Sequence, residues 1–157
     1  MQPVKVSIVA VGKPRNAALA AAIEDYERRA AHYWPLEVHE VREEPAKSVS
    51  ADLVREREGA RLSDAVPASA HFVACDHGGT SKTSEEFSAW LQGERERGRD
   101  VAFVIGGAFG LSPAVRTRAR TRLSLAPWTL PHELARLVLA EQLYRAGSIV
   151  KREPYHK

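Results

Sequence analysis

Hydrophobic residues along this chain concentrate in five short runs that alternate with longer amphipathic segments. The runs cover residues 4–11, 36–41, 71–75, 101–105 and 123–125. The fourth run, Val-Ala-Phe-Val-Ile, is continuously apolar, which is typical of a strand that is buried on both faces of a sheet. Each run is followed by glycine, proline or a short polar turn, so the pattern predicts five β-strands.

The segments between these runs carry hydrophobic residues at helical spacing. Five helices are predicted: residues 15–31, Ser50 to about residue 62, Thr83 to about Gly98, one from Ser112 and one from Pro131. Serine and threonine at such starts can cap a helix, and proline is favoured in its first turn. The regular alternation of strand and helix predicts one α/β domain over residues 1–157, with a mostly parallel sheet and helices on both faces.

The composition is that of an ordinary globular protein, with 157 residues, 44% of them hydrophobic and 27% charged. The one cysteine, Cys75, excludes an internal disulfide and fits a reducing cytosol. No apolar run has the length of a signal peptide core or of a membrane span. We therefore expect a cytoplasmic protein with no membrane partner.

Basic residues are concentrated in the last third of the chain. Residues 1–110 contain 14 Lys and Arg against 17 Asp and Glu, whereas residues 111–157 contain 9 against 3. We call the positive region, residues 111–157, the basic lobe. Such a lobe suits a polyanion such as RNA, because contacts with phosphates release condensed counterions. A solvated basic face explains the same count, so charge alone leaves both interpretations open.

Three successive strands are predicted to end in turns that suit ligand binding, at residues 75–79, 106–110 and 125–130. Ligands of parallel α/β sheets bind outside the carboxyl ends of the strands, and glycine there lets a ligand approach the backbone. The second turn lacks the dinucleotide spacing G-x-G-x-x-G and the lysine of a P-loop. The third turn has no charged side chain, which favours a purine-bearing cofactor without a triphosphate. Tight turning of the chain is the simpler explanation for any one of these turns.

The helix predicted after Pro131 carries apolar residues on two sides, so it is either deeply buried or pressed against another subunit. Glu141 and Arg145 lie four residues apart within one apolar stripe, where they form a structural ion pair or direct Arg145 at a nucleotide or substrate. The last residues, 155–157, are either a solvated tail or part of a site. Histidines and Cys75 show no metal-ligand spacing, so we expect no metal.

Five motifs follow one another between residue 104 and the end of the chain. They are Val-Ile-Gly-Gly-Ala-Phe-Gly-Leu-Ser-Pro at 104–113, Leu-Ser-Leu at 123–125, Thr-Leu-Pro-His-Glu-Leu-Ala-Arg at 129–136, Glu-Gln-Leu-Tyr-Arg-Ala at 141–146 and Pro-Tyr-His-Lys at 154–157. In this order they resemble the RlmH (YbeA) family of SPOUT-class methyltransferases, which use S-adenosylmethionine to methylate a pseudouridine of large-subunit ribosomal RNA. The resemblance extends over the whole length.

The resemblance implies a C-terminal trefoil knot, a homodimer packed through the last helix, and S-adenosylmethionine bound in the knot. The cofactor-binding residues that it implies are Cys75, Gly106, Leu125, Ala126, Pro127, Trp128, Thr129 and Leu130. Cys75 stands where the family commonly has leucine, and Pro127-Trp128 makes the loop bulkier than usual.

The resemblance also implies that the target is N3 of a pseudouridine in 23S ribosomal RNA, within the assembled ribosome. Arg145 would then stabilise an anionic ring or hold its phosphate, Tyr155 would stack on the base, and His156 is a candidate proton acceptor. If the site is shared between subunits, the tail of one chain would reach the cofactor of the other. Two alternatives stay open: a non-catalytic ribosome- or RNA-binding factor of the same fold, and a nucleotide-cofactor enzyme that acts on small molecules.

Overall fold

Strands and helices alternate strictly along the part of the chain that the computed structural model describes, residues 3–157. Their bounds are β1 Val6–Val11, α1 Ala17–Ala30, β2 Leu36–Val41, α2 Ala51–Asp64, β3 His71–Ser81, α3 Ser84–Glu96, β4 Val101–Val104, α4 Pro113–Arg118, β5 Thr121–Ser124 and α5 His132–Val150. The predicted order is confirmed. The caps are also present, since the side-chain oxygens of Ser50, Thr83 and Ser112 accept backbone N–H groups three residues further on.

The five strands form one parallel sheet in the order β2-β1-β4-β3-β5. This confirms the predicted α/β class, and it brings the carboxyl ends of all strands to one edge. The chain leaves β1 for β2 on one side and continues into β3 and β4 on the other. Strand order therefore switches between β1 and β4, a position at which α/β sheets bind ligands. The trefoil knot stays a prediction.

Helices cover both faces of the sheet, as predicted. In β1, Ile8 is buried in the core that α3 and α5 share, whereas Val9 is buried in the core that α2 and α4 share. Residues on both faces of β1 and β4 are thus removed from water, which explains why these strands are apolar runs. The edge strand β2 is mostly exposed, and half of its residues are polar.

The last helix, α5, packs against both α1 and α3. The indole N–H of Trp34 donates to the carbonyl of Leu143 at 2.9 Å, and the Ser88 hydroxyl donates to the carbonyl of Ala146 at 2.8 Å. These bonds join the buried side of α5 to the turn after α1 and to α3. Among the helices of residues 3–157, α5 included, none combines the length and the hydrophobicity that crossing a bilayer requires.

The third strand differs from the prediction, which ended it at Cys75. It continues to Ser81, because residues 76–79 loop out and pairing with β5 then resumes: Cys75 and Thr80 both face Leu123. A Cβ atom at Gly79 would lie 2.5 Å from the carbonyl oxygen of Arg122, so this excursion needs glycine. The turn that interrupts the apolar run is therefore a bulge within a longer strand.

Candidate active site

A cavity of about 630 Å³ opens at the carboxyl edge of the sheet. Its walls come from the bulge within β3 and from the turns after β4 and β5, and the first turn of α5 closes one side. The predicted cofactor residues that line it are Cys75, Gly106, Leu125, Ala126, Trp128, Thr129 and Leu130. Pro127 is not among the lining residues, and it is exposed. The turns that the sequence analysis singled out separately thus lie side by side.

The turn after β4 folds back on itself to form one wall of the cavity. The N–H of Gly110 donates to the carbonyl of Gly107 at 3.0 Å. A Cβ atom at Gly106 would lie 2.6 Å from the carbonyl carbon of Gly110, so no other residue fits there without moving the backbone. The wall at this point consists of backbone, which presents N–H and C=O groups to a ligand.

A buried carboxyl group, which the sequence analysis did not single out, lies behind this turn. Glu58 is 3% exposed, and its Oε2 accepts the backbone N–H of Glu44 at 3.0 Å. Its Oε1 has no hydrogen-bond partner within residues 3–157, and a Cβ atom at Gly107 would lie 2.6 Å from it. Burial raises the pKa of Glu58 above its usual value. The sequence could have revealed this burial, because Glu58 lies four residues from both Val54 and Leu62 and therefore on the apolar stripe of α2.

The lining is mainly apolar, with a few charged groups near the rim. Burial raises the pKa of the Cys75 thiol to about 12, so this sulfur acts as a wall and not as a thiolate nucleophile. Trp128 is 77% exposed and Phe109 is 42% exposed, so two large aromatic rings of the lining face solvent. Within residues 3–157, no three His, Cys, Asp or Glu side chains are arranged to hold a metal ion.

Arg116 also reaches the cavity, where it faces a carboxylate at the end of the β3 wall. Its Nε lies 3.3 Å from the Asp76 carboxylate, and Arg122 approaches the same carboxylate to 3.5 Å. Asp76 is largely buried whereas both arginines are substantially exposed. One carboxylate thus faces two cations at the cavity, which leaves a net positive charge on that side.

The three predicted catalytic residues lie together, but none of them lines the cavity. Arg145 donates to the Glu141 carboxylate through Nη2 at 2.8 Å and through Nε at 3.2 Å. The Tyr155 hydroxyl donates to the same carboxylate at 2.7 Å, and the Arg145 guanidinium lies 4.8 Å from the centre of the Tyr155 ring. His156 contacts Arg145 through Nδ1 at 2.9 Å and Glu85 through Nε2 at 2.6 Å. We call these five residues the C-terminal cluster.

Charges within the C-terminal cluster hold one another in defined protonation states. Burial works to raise the pKa of Glu141, but hydrogen bonds from Arg145 and Tyr155 lower it below its usual value. The hydrogen bond to Glu141 raises the pKa of Arg145 in turn, and burial with the Glu141 contact raises the pKa of Tyr155. The cluster therefore presents a carboxylate, a guanidinium and a protonated phenol at neutral pH. The chain end is not a solvated tail.

The basic lobe divides into structural and exposed cations. Arg136 is 6% exposed and pairs with Glu27 at 2.8 Å and with Glu40 at 2.7 Å, so it is a core residue. Arg118 donates to two backbone carbonyls and lies over the Phe72 ring. Arg120 and Arg122 are exposed, and Arg116 is partly exposed beside the cavity. Lys151, Arg152 and Lys157 are exposed near the C-terminal cluster. The charge available to a polyanion is thus smaller than the sequence count.

Comparison with known proteins gives consistent matches over nearly the whole chain. Residues 4–156 match the family model described as "Predicted SPOUT methyltransferase". A protein of Gemmatimonas aurantiaca named "Ribosomal RNA large subunit methyltransferase H" is 64% identical over 153 residues, which cover 98% of this chain and 99% of the relative. A protein of the same name from Listeria monocytogenes is 44% identical over 157 residues, with 97% and 99% covered.

Solved structures show the same fold at low sequence identity. A structure named as a probable methyltransferase from Bordetella pertussis has a TM-score of 0.55 and 14% identity, and the match covers 92% of this chain and 95% of that one. The SpoU methyltransferase AviRb from Streptomyces viridochromogenes has a TM-score of 0.51 and 17% identity, with 97% and 62% covered. At these identities the likeness concerns the fold alone.

Proposed function

The chain belongs to the SPOUT methyltransferase family, and we propose that it methylates N3 of a pseudouridine in 23S ribosomal RNA with S-adenosylmethionine as methyl donor. The family makes the chain a methyltransferase. Its relatives from Gemmatimonas aurantiaca and Listeria monocytogenes are named for ribosomal RNA of the large subunit, which supports RNA as the substrate. The cavity and the C-terminal cluster supply the two chemical environments that this reaction needs.

The cavity fits the proposed cofactor in size and in chemistry. It offers apolar walls and backbone polar groups for a neutral purine, at the switch in strand order. The turn at Gly106 is backbone without a side chain, so a ligand can approach it closely. The glycine turn in the lining has neither the G-x-x-x-x-G-K spacing nor the lysine of a phosphate-binding loop, in keeping with a cofactor that has no phosphates. When bound, S-adenosylmethionine supplies an electrophilic methyl group.

The C-terminal cluster fits the substrate side of the reaction. A pseudouridine ring that loses its N3 proton develops negative charge, and the permanently charged guanidinium of Arg145 can stabilise that charge. Tyr155 lies beside Arg145 and presents an aromatic face on which a base can stack. Most of the rate enhancement should come from holding the reactants in line, because the methyl transfer itself needs little further catalysis.

A homodimer joins the two environments, which lie apart in one chain. The first turn of α5 borders the cavity and Arg145 lies thirteen residues later, about 20 Å along the helix axis. Between them, Leu134 is 36% exposed, and Leu137 and Val138 are half-buried, so this side of α5 presents apolar surface. If two copies of α5 pack antiparallel through this side, each C-terminal cluster lies beside the partner's cavity.

The exposed cations support a negatively charged substrate. Arg116 and Arg122 lie near the cavity, while Lys151, Arg152 and Lys157 lie near the C-terminal cluster, so the two environments carry the same sign of charge. A dimer of such small chains has little surface with which to bind and order flexible RNA. This favours a target that is already folded in the assembled ribosome. Raising the salt concentration should therefore weaken ribosome binding steeply while cofactor binding changes little.

The deciding experiment is transfer of a labelled methyl group from S-adenosylmethionine to ribosomes, followed by mapping of the modified base. We expect label at N3 of one pseudouridine in 23S RNA, with assembled particles preferred over naked RNA. S-adenosylhomocysteine binding without any transfer would favour the non-catalytic RNA-binding factor. Stabilisation by NAD(P)H but not by S-adenosylhomocysteine in a thermal-shift assay would instead favour a small-molecule enzyme.

A further inference from the structure

His156 has a hydrogen-bonding partner at each of its two ring nitrogens. Nδ1 lies 2.9 Å from Nη1 of Arg145 on α5, and Nε2 lies 2.6 Å from Oε1 of Glu85 in the first turn of α3. The ring therefore connects two helices that are separate along the chain. Because both ring nitrogens are already engaged, neither is left to bind a substrate.

The identity of the two partners determines which nitrogen carries the proton. Arginine can only donate hydrogen bonds, so Nδ1 of His156 must accept. Nε2 then carries the hydrogen and donates it to Glu85, whose pKa is lowered by this contact and which is therefore an ionised acceptor at neutral pH. The imidazole is thus neutral in its Nε2–H form, and its one free lone pair is directed at Arg145. A doubly protonated ring would place an N–H against the guanidinium, two donors and two positive charges in contact.

We propose that Glu85 is a positioning residue that holds His156 in the Nε2–H tautomer, so that His156 orients Arg145 and does not receive the proton of the substrate. This proposal rests on the proposed function, in which Arg145 faces the pseudouridine. Glu141 holds Nε and Nη2 of Arg145, and His156 holds Nη1. Both ends of the guanidinium plane are then fixed, as an electrostatic stabiliser of a planar anion requires.

A purely structural role explains Glu85 less well. Its side chain is 63% exposed, and exposed ion pairs contribute little to stability. Its neighbour Glu86 already closes the capping box with Thr83, so the start of α3 is stabilised without Glu85. What Glu85 adds is a specific acceptor at the far nitrogen of the imidazole.

The first test is spectroscopic and needs no turnover. The full-length protein is labelled with ¹⁵N in its histidine rings, and the resonances of His156 are assigned by their loss in His156→Gln. We expect the long-range ¹H–¹⁵N pattern of the Nε2–H tautomer at neutral pH. In Glu85→Ala this pattern should give way to a mixture of states, whereas Glu85→Gln should keep it, because the amide oxygen still accepts from Nε2. A wild-type ring protonated at Nδ1 would overturn the proposal.

The second test compares single-turnover methyl transfer with S-adenosylhomocysteine affinity in the same variants. Glu85→Ala should slow transfer about tenfold, the effect of losing one hydrogen bond to a charged group, and leave the affinity unchanged. Glu85→Gln should stay within about threefold of wild type. Glu86→Ala is the matched control, because it removes a first-turn carboxylate of α3 that does not touch His156.

Equal losses of transfer rate in Glu85→Ala and Glu86→Ala would show that the start of α3 matters in general, and they would overturn the proposal. A wild-type transfer rate in Glu85→Ala would overturn it as well. The two hypotheses fail in different ways. A wild-type protein that binds S-adenosylhomocysteine but never methylates ribosomal RNA contradicts the proposed function, and the tautomer of His156 still decides whether Glu85 positions the ring.

Discussion

The cavity and the C-terminal cluster differ in chemical character. The cavity consists of backbone turns and apolar side chains around glycine, and its Cys75 thiol is kept neutral by burial. The C-terminal cluster consists of charged and polar side chains that hold one another by hydrogen bonds between two helices and the chain end. Apolar walls and backbone suit a cofactor that must bind without reacting, and charged side chains suit a substrate that must lose a proton. Their separation within one chain is the main reason to expect that two chains share a site.

Removing the central cation of the C-terminal cluster should have the largest effect. Arg145→Ala is expected to lower methyl transfer about 10²- to 10³-fold, the range seen when one preorganised stabiliser of a developing anion is lost. S-adenosylhomocysteine affinity, measured by calorimetry, should stay near wild type because Arg145 does not line the cavity. Arg28→Ala removes an exposed cation of α1, outside the basic lobe, and should retain most of the transfer rate. A parallel loss of affinity in Arg145→Ala would place this residue on the cofactor side.

The complementary change adds a side chain to the cavity wall at Gly106. A side chain at Gly106 must displace the backbone of Gly110, so Gly106→Val should weaken S-adenosylhomocysteine binding about 10- to 100-fold, as overpacking by 1–3 kcal/mol would. The C-terminal cluster should be unaffected, which the ¹⁵N spectrum of His156 reports. Gly93→Ala is the control, since a Cβ atom at this position in the last turn of α3 would meet nothing closer than 3.6 Å. Unchanged affinity in Gly106→Val would separate the cofactor from this turn.

Combining the two defects tests whether the two regions meet between subunits. A heterodimer of one Gly106→Val chain and one Arg145→Ala chain, isolated with two affinity tags, contains one site with an intact cavity and an intact partner cluster. Its methyl transfer should return to about half of the wild-type rate, since one of two symmetric sites is restored. At an S-adenosylmethionine concentration well below the weakened dissociation constant, doubly tagged Gly106→Val homodimers should stay nearly inactive. A heterodimer as inactive as its parents would mean that each chain builds its own site.

Local patterns in the sequence predicted most of the fold. Apolar runs, capping residues and glycine-terminated strands depend on neighbours within a few positions, and five strands, five helices and the converging turns followed from them. The continuation of β3 past Gly79 could not be predicted from local patterns, because it depends on the approach of Arg122 from another strand. Pro127 was predicted to bind the cofactor but does not line the cavity. The direction of a loop side chain depends on its surroundings in the fold, which local sequence does not show.

The chemistry of the C-terminal cluster was only partly predictable. The Glu141–Arg145 pair follows from helical spacing, but the contact of Glu85 with His156 joins residues 71 positions apart. The role expected for His156 from the resemblance and the residue type, a proton acceptor, stays a prediction. Which nitrogen is free depends on the partners, and these appear only in three dimensions.

The smallest effect concerns the carboxyl group behind the cavity wall. Burial raises the pKa of Glu58 above that in the unfolded chain, so its contribution to stability is complete below the unfolded pKa and is lost as pH rises through the folded pKa. Glu58→Gln keeps the shape and cannot ionise. The free energy of unfolding of Glu58→Gln, measured in urea, should therefore exceed that of wild type by a margin that grows as the pH rises above the ordinary carboxyl range. Glu56→Gln, on the exposed side of α2, should show no such growth. A constant difference would mean that Glu58 is ionised and paired in the folded protein, and that the wall at Gly107 carries a charge after all.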